Sequence, residues 1–171
     1  MLFRSDGNEL GAANDLHLIG SAQRELGQYE VAIETFFEAR RLYKSLKEVI
    51  SVARCDQKIA SCLVELGDGQ AALDRARKAM DVFETAHDSR RLVFALFEFG
   101  KAQVLLGELD EALATFDQVL TAASEDEPRD FDFIVSIESR IAQVLKELGR
   151  TEEATEIERR ISSVSEILGD E

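Results

Sequence analysis

The stretch Glu25-Leu26-Gly27-Gln28-Tyr29-Glu30-Val31-Ala32 decides the fold of this chain because its pattern returns. A Leu-Gly pair stands at positions 26–27, 66–67, 106–107 and 148–149, and each glycine is followed five residues later by an alanine. A motif that recurs about every 40 residues is typical of an array of stacked structural units. The chain is therefore predicted to consist of four similar units.

Helical patterns flank each glycine. Before the first one, Leu16 and Ile19 recur at helical spacing, and after it Ile33, Phe36 and Ala39 do the same. Glycine readily adopts the left-handed conformation that ends a helix tightly, so each unit is predicted to hold two antiparallel helices. When the units are aligned by their glycines, only small residues stand seven positions earlier, where helix backbones can approach closely: Gly20, Ala60, Gly100 and Ala142.

The run from Gly20 to Ala39 resembles the tetratricopeptide repeat in its small residue, Leu-Gly pair, tyrosine, Ala-Ile pair, phenylalanine and final alanine. HEAT-type repeats match the period better but lack this signature. The usual tetratricopeptide period is about 34 residues, so helices about one turn longer are expected. The resemblance implies an all-α, right-handed α-solenoid of four antiparallel helix pairs. The second and fourth copies depart from the aromatic pattern, with Gly69 and Thr151 in place of Tyr29, and Ala76 and Glu158 in place of Phe36.

Residues 1–171 are interpreted as one array. Leu2-Phe3 precedes Leu42-Tyr43 by 40 residues, which indicates the end of a preceding helix, either from a longer parent protein or left as a stub by evolution or cloning. The last helix has a narrow apolar stripe and a polar outer face, which is typical of a capping helix. The predicted boundaries are 1–6 for the stub, 7–46, 47–86 and 87–127 for repeats 1 to 3, and 128–171 for repeat 4 with the cap.

Composition and charge exclude several functions. The formal net charge is −14, which disfavours direct binding to nucleic acid or to an anionic membrane surface. No apolar run approaches the roughly 20 residues that span a bilayer, and the amino terminus lacks the layout of a signal peptide. A cytoplasmic location is therefore expected.

Catalytic and metal-binding motifs are missing from the sequence. Cys55 and Cys62 lie seven residues apart on one helix, about 10 Å along its axis, which is too far for a disulfide, so they are interpreted as buried free thiols. His17 and His87 are the only histidines, and neither completes a metal set or a Cys-His pair. His17 is interpreted as an isolated surface histidine. We predict no enzyme activity and no cofactor.

The family resemblance also implies where a ligand binds. In tetratricopeptide proteins the first helices of successive units line a concave groove that holds an extended peptide or a helix. The 24 positions projected onto this groove hold six basic and four acidic residues, whereas the rest of the chain holds 14 basic and 30 acidic ones. A ligand with acidic and apolar groups is therefore expected. The candidate groove residues are Asn14, His17, Arg24, Arg54, Gln57, Lys58, Phe94, Phe97, Lys101, Arg140, Gln143 and Lys146.

Phe94 and Phe97 are the expected apolar anchors of this groove. The alternative is that nearby glutamates balance the basic side chains and that Phe94 merely packs. Chaperone-tail binding is disfavoured, because among the positions of the family's carboxylate clamp only Lys58 is strongly basic.

These patterns favour a non-catalytic protein-interaction module. The long repeats look similar to the sensor arrays of bacterial transcription regulators, which implies a regulatory part of a larger protein. Two alternatives remain open at this point. One is a self-associating scaffold that forms a homodimer through the open first unit; the other is an acidic decoy that imitates nucleic acid.

Overall fold

The computed structural model describes residues 5–125 and 130–169, and the side chains within 8–125 and 130–163. This part of the chain forms eight α-helices and no strand, so the all-α prediction is confirmed. The helices are α1 (Ser5–Glu25), α2 (Tyr29–Ser45), α3 (Val49–Glu65), α4 (Gly69–Thr85), α5 (Ser89–Leu105), α6 (Leu109–Glu125), α7 (Phe131–Glu147) and α8 (Thr151–Gly169).

The Leu-Gly turns close each first helix as predicted. Gly27 has a φ of 74°, a left-handed conformation that costs glycine little because it has no β-carbon. Its N–H donates to the carbonyl of Arg24 at 3.0 Å, and the Gln28 N–H donates to that of Gln23 at 2.9 Å. These two bonds satisfy carbonyls that the end of the helix leaves unpaired. The other three Leu-Gly glycines have φ values of 77° to 79°.

The turns between units use the same geometry without glycine. Lys47 has a φ of 61° and His87 a φ of 54°. The Lys47 N–H donates to Lys44 and the Glu48 N–H to Tyr43, which repeats the bonding pattern of the glycine turns. The sequence interpretation missed this equivalence, although Leu46 follows Leu26 by 20 residues. The backbone thus repeats every 20 residues from α2 to α6, not only every 40.

Helix length explains the long period. Each helix from α2 to α7 has 17 residues, in keeping with the longer helices expected from the period. The helices α3 and α5 begin two residues after positions 47 and 87, where repeats 2 and 3 were predicted to start. Residues 1–4 of the expected stub lie outside the described residues, and Ser5 and Asp6 belong to α1. Residues 126–129, between α6 and α7, also lie outside the described part.

The packing order defines the inner face of the solenoid. Each helix packs against the next one along the chain, and successive first helices, such as α3 and α5, also contact each other. Within the described residues no second helix contacts the next second helix. The array therefore curves with its first helices, α1, α3, α5 and α7, on the concave side. This arrangement confirms the predicted α-solenoid.

The repeat columns form the core. The four alanines that follow the glycines are completely buried: Ala32, Ala72, Ala112 and Ala154. Cys55 and Cys62 are buried free thiols, as predicted. Ile59 is only 1 % exposed because it packs against α2, whereas its counterpart Ile19 is 49 % exposed. The described residues supply no helix on that side of α1.

Candidate functional site

Some of the predicted groove positions line one cavity of the concave face. A cavity of about 170 Å³ opens where α3, α5 and α7 meet. Three of its eight lining residues, Lys101, Arg140 and Gln143, are candidate groove residues predicted from the sequence. The lining residues are Val64 and Glu65 of α3, Lys101, Val104 and Leu105 of α5, and Arg140, Gln143 and Val144 of α7.

Lys101 lies in this cavity as one member of a charge cluster. Its Nζ is 2.9 Å from Glu98 Oε2 and 3.4 Å from Glu65 Oε1, and it lies 5.6 Å from the centre of the Phe97 ring. The contact with Glu98 is an ion pair that satisfies the distance but not the geometry of a hydrogen bond. Because Lys101 is nearly buried and has two carboxylate partners, it is not the free donor that the sequence suggested.

Three other cations lie along α1 and α3. Arg24, Arg54 and Lys58 are each half-buried. Burial lowers the pKa of Lys58 from its usual value, and the nearby positive charge of Arg24 lowers it further. We call these three residues the cationic cluster.

The prediction that Phe94 and Phe97 are the apolar anchors of the groove needs correction. Phe97 is 8 % exposed, and its ring packs edge-on against Phe133 at 5.3 Å and against Phe116 at 5.7 Å. The prediction that Phe97 is an accessible anchor is wrong, because α6 and α7 close over it. Phe94 is half-buried with its ring 4.7 Å from that of Phe133. It lines a separate cavity of about 270 Å³ at the junction of α5, α6 and α7.

The remaining candidates differ in their freedom to bind. The Tyr43 hydroxyl donates to Asn14 Oδ1 at 2.7 Å, so that amide is partly engaged. Lys146 pairs with Glu158 of α8, so its charge is already balanced within the chain. Arg140 donates to Gln143 Oε1 at 3.2 Å within the cavity, and Gln57 is half-buried on α3.

Sequence comparison assigns the family. Two models of the tetratricopeptide repeat match the chain, one over residues 51–125 and one over residues 16–40, which together is more than half of the 171 residues. The chain belongs to the tetratricopeptide repeat family. A comparison with curated proteins finds no match to this chain.

Solved structures share the tetratricopeptide fold of this chain at low sequence identity. A Rap protein complexed with competence and sporulation factor has a TM-score of 0.81 at 17 % identity over 91 % of this chain and 43 % of its own. Aspartyl phosphate phosphatase F from Bacillus subtilis has a TM-score of 0.77 at 17 % identity, with coverages of 95 % and 42 %. The Rap conjugation gene regulator of plasmid pLS20, in complex with the Phr* peptide, has a TM-score of 0.78 at 21 % identity, with coverages of 95 % and 45 %. The chain spans less than half the length of each.

The prediction for His17 also needs correction, because the packing of the tetratricopeptide helices buries this side chain. It is 5 % exposed and lies against the rings of Phe36 and Tyr43. The guanidinium of Arg54 lies 3.4 Å from its Nε2. Since a guanidinium only donates, Nε2 accepts and Nδ1 carries the hydrogen, which points to Cys55 Sγ at 3.6 Å. The interpretation of His17 as a surface histidine is wrong.

The contact between His17 and Cys55 was not predicted from the sequence, because only short Cys-His spacings indicate such a pair there. The two residues are 38 positions apart, and only an alignment of α1 beside α3 could have predicted that they are in contact. Burial raises the pKa of Cys55 to about 12, and the charge of Asp56 contributes. A thiol that is fully buried and protonated at neutral pH is not an activated nucleophile.

We predict a pH-dependent loss of stability from His17. Burial, together with the charges of Arg54 and Lys58, lowers its pKa from 6.5 to about 4. The unfolded chain therefore takes up this proton first as the pH falls, so the contribution is zero above about pH 7 and destabilises the fold between about pH 6.5 and 4. The loss at pH 4 is about 3 kcal/mol.

Urea unfolding at pH 7, 5.5 and 4.5 measures this contribution of His17 to the free energy of unfolding. The variant His17→Gln keeps a neutral polar side chain but cannot titrate, so it controls for the other ionisable groups. Its free energy of unfolding should fall less steeply with pH than that of the wild type. Parallel slopes for the two proteins would contradict the assignment.

Among the described residues, no helix has the length and apolarity to cross a bilayer. Within the same part of the chain, no three His, Cys, Asp or Glu side chains are gathered as a metal ion would require.

Proposed function

We propose that this chain is a non-catalytic protein-interaction module that binds a peptide or a helix along its concave face, as the regulatory part of a larger bacterial regulator. The observation that carries the proposal is the convergence of three successive first helices on one cavity. Val64, Leu105 and Arg140 come from α3, α5 and α7, and they combine exposed apolar surface with charge. Such a mixture suits a peptide ligand, whose side chains are both apolar and polar.

Two further observations support this function. Successive first helices contact each other, so their side chains form a continuous surface rather than separate patches. Among structures with this fold, one contains a Rap regulator in complex with the Phr* peptide. The partial coverage of those regulators is consistent with a chain that works inside a larger protein.

Selection from a random peptide library, followed by affinity measurement, tests the proposal. We expect selected peptides to bind the wild type, and Arg140→Glu to weaken that binding at least about tenfold, because it reverses a charge in the cavity. Lys78→Glu makes the same charge change on the exposed surface of α4, a second helix, and should leave the affinity within about twofold. Equal effects of the two reversals, or no peptide binding at all, would contradict the proposal.

Self-association is a second candidate function, which the apolar surface of α1 favours. Leu18 is 67 % and Leu26 73 % exposed, and Ile19 occupies a column that is buried in α3 and α7. In the internal units this column is covered by the preceding second helix. A second copy of the chain, packed α1 against α1, would cover the same surface.

Sedimentation at several concentrations tests self-association. We expect a reversible dimer that Ile19→Asp dissociates, because the substitution places a charge in the apolar contact. Ile19 is half-exposed, so the variant should keep its helical circular dichroism. A wild-type monomer at every concentration would rule out this function.

A further inference from the structure

The cationic cluster of Arg24, Arg54 and Lys58 is a compact feature of the concave face. Arg54 and Lys58 are one turn apart on the same face of α3, and Arg54 reaches across to His17 of α1. Arg24, near the end of α1, is close enough to Lys58 for its charge to disfavour protonation of that amine. Three positive charges therefore share a half-buried site between two helices.

The cluster lacks the carboxylate partners that other buried or partly buried cations in this protein have. Arg40 and Arg75 pair with Asp56 at 2.9 and 2.7 Å, and Lys101 has two glutamates. Among the described residues, no carboxylate oxygen lies within 4 Å of a side-chain nitrogen of Arg54 or Lys58.

Arg24 is the third member of the cluster and is also incompletely satisfied. Its only described carboxylate contact is Glu25 at 3.8 Å, and the Glu25 side chain is largely exposed. The Arg24 Nε is shielded from solvent and has no hydrogen-bond partner. A buried donor without a partner costs free energy, so the chain itself does not fully satisfy the Arg24 guanidinium.

The charge balance of the site suggests the charge that a ligand would carry. The charge of Glu98 favours the protonated form of Lys58, but this carboxylate already pairs with Lys101. With Lys101 included, the site holds four cations, and the carboxylates of Glu25, Glu65 and Glu98 leave one positive charge uncompensated. A single carboxylate neutralises this excess.

We propose that Arg24, Arg54 and Lys58 form a subsite of the concave face that binds one carboxylate of the peptide ligand. This inference rests on the proposed peptide-binding function and assigns the chemistry of one end of the ligand. Glu98 acts on Lys58 and pairs with Lys101, which lines the cavity between α3, α5 and α7, so one ligand would reach both sites. The carboxylate comes from an Asp or Glu side chain or from the carboxyl terminus of the peptide.

Matched peptides test the subsite and distinguish the two sources. Fluorescein-labelled peptides selected against the wild type are resynthesised with each Glu or Asp changed to the amide, or with an amidated carboxyl terminus. One of these changes should weaken binding to the wild type about tenfold, because it removes a charge-assisted hydrogen bond. The change that has this effect identifies the source of the carboxylate.

The variants Lys58→Gln and Arg24→Gln complete a double-mutant cycle with these peptides. Each should weaken the acidic peptide about tenfold yet bind its neutral counterpart as well as the wild type does. Lys78→Gln is the matched control on α4 and should preserve the full difference between the two peptides. Thermal unfolding by circular dichroism confirms that the variants are folded. Because there are two variants, the test remains possible if one of them fails to fold.

The outcomes separate the subsite from the function on which it rests. If peptides bind and Arg140→Glu weakens them, but neither glutamine variant changes the ratio between acidic and neutral peptides, the subsite is overturned and the groove stands. If each variant weakens both peptides equally, the residues support the fold rather than the ligand, which also overturns the subsite. If no peptide binds the wild type, both proposals fail.

Discussion

Phe116→Ala should lower the free energy of unfolding by about 3 to 5 kcal/mol, and a second substitution, Gly100→Ala, should recover part of that loss. The Phe116 ring is completely buried against α5. A β-carbon added at Gly100 would lie 2.8 Å from Phe116 Cε1, too close for both groups to stay in place. Gly100→Ala alone should therefore destabilise the protein by about 1 to 3 kcal/mol, despite the better helix propensity of alanine.

The decisive measurement is whether Gly100→Ala raises or lowers the free energy of unfolding in each background. In the Phe116→Ala background the clash is gone, so the added methyl group fills space and stabilises the helix by about 1 kcal/mol. Repeat 2 already carries this combination, with Ala60 and Ala76 at the equivalent positions. Gly11→Ala is the matched control, because nothing lies near it in α1, and it should stabilise the wild type. Additive effects in urea unfolding would contradict the coupling.

Asp56→Ala should cost about 3 to 5 kcal/mol, since it removes the shared partner of two arginines. Asp56 is almost fully buried on α3 and accepts from Arg40 Nε of α2 through both carboxylate oxygens, each at 2.9 Å. Arg75 Nη1 of α4 donates to the same carboxylate at 2.7 Å. One side chain therefore ties three consecutive helices together.

Chemical denaturation of Asp56→Ala and Asp74→Ala measures this contribution. Asp74 is exposed on α4 and accepts only from Gln70 in the described structure, so its removal should change stability by no more than about 0.5 kcal/mol. A loss below about 1 kcal/mol in Asp56→Ala would show that the arginines turn to solvent at little cost.

Much of the fold could be predicted from the sequence because each repeat carries its own local signals. Gly27 and its three counterparts mark the helix ends, since a left-handed residue is needed there and glycine adopts it easily. Lys47 and His87 take the same conformation, although neither residue type predicts it. The surrounding bonds and packing hold these two turns, so their geometry was recognisable only in three dimensions.

The departures from the repeat motif were harder to interpret. Gly69 looked like a degenerate aromatic position, but a β-carbon there would lie 2.9 Å from Leu105 Cβ. The start of α4 approaches the end of α5 so closely that no larger residue fits. Similarly, the glycines at 20 and 100 occur in the repeats that carry Phe36 and Phe116, and a β-carbon at either glycine would meet the ring.

By itself, the sequence determined the number of units, the helix pairs, the buried alanine column and the row of first helices on which the candidate groove lies. These features depend on periodicity, which is local and repeats in each unit. Only the tertiary structure decided which groove residues are free. His17 and Phe97 are buried, and Lys101 is paired, because side chains from neighbouring units reach them. Long-range pairing of this kind depends on how helices stack, and it left Arg54 and Lys58 without a described carboxylate partner.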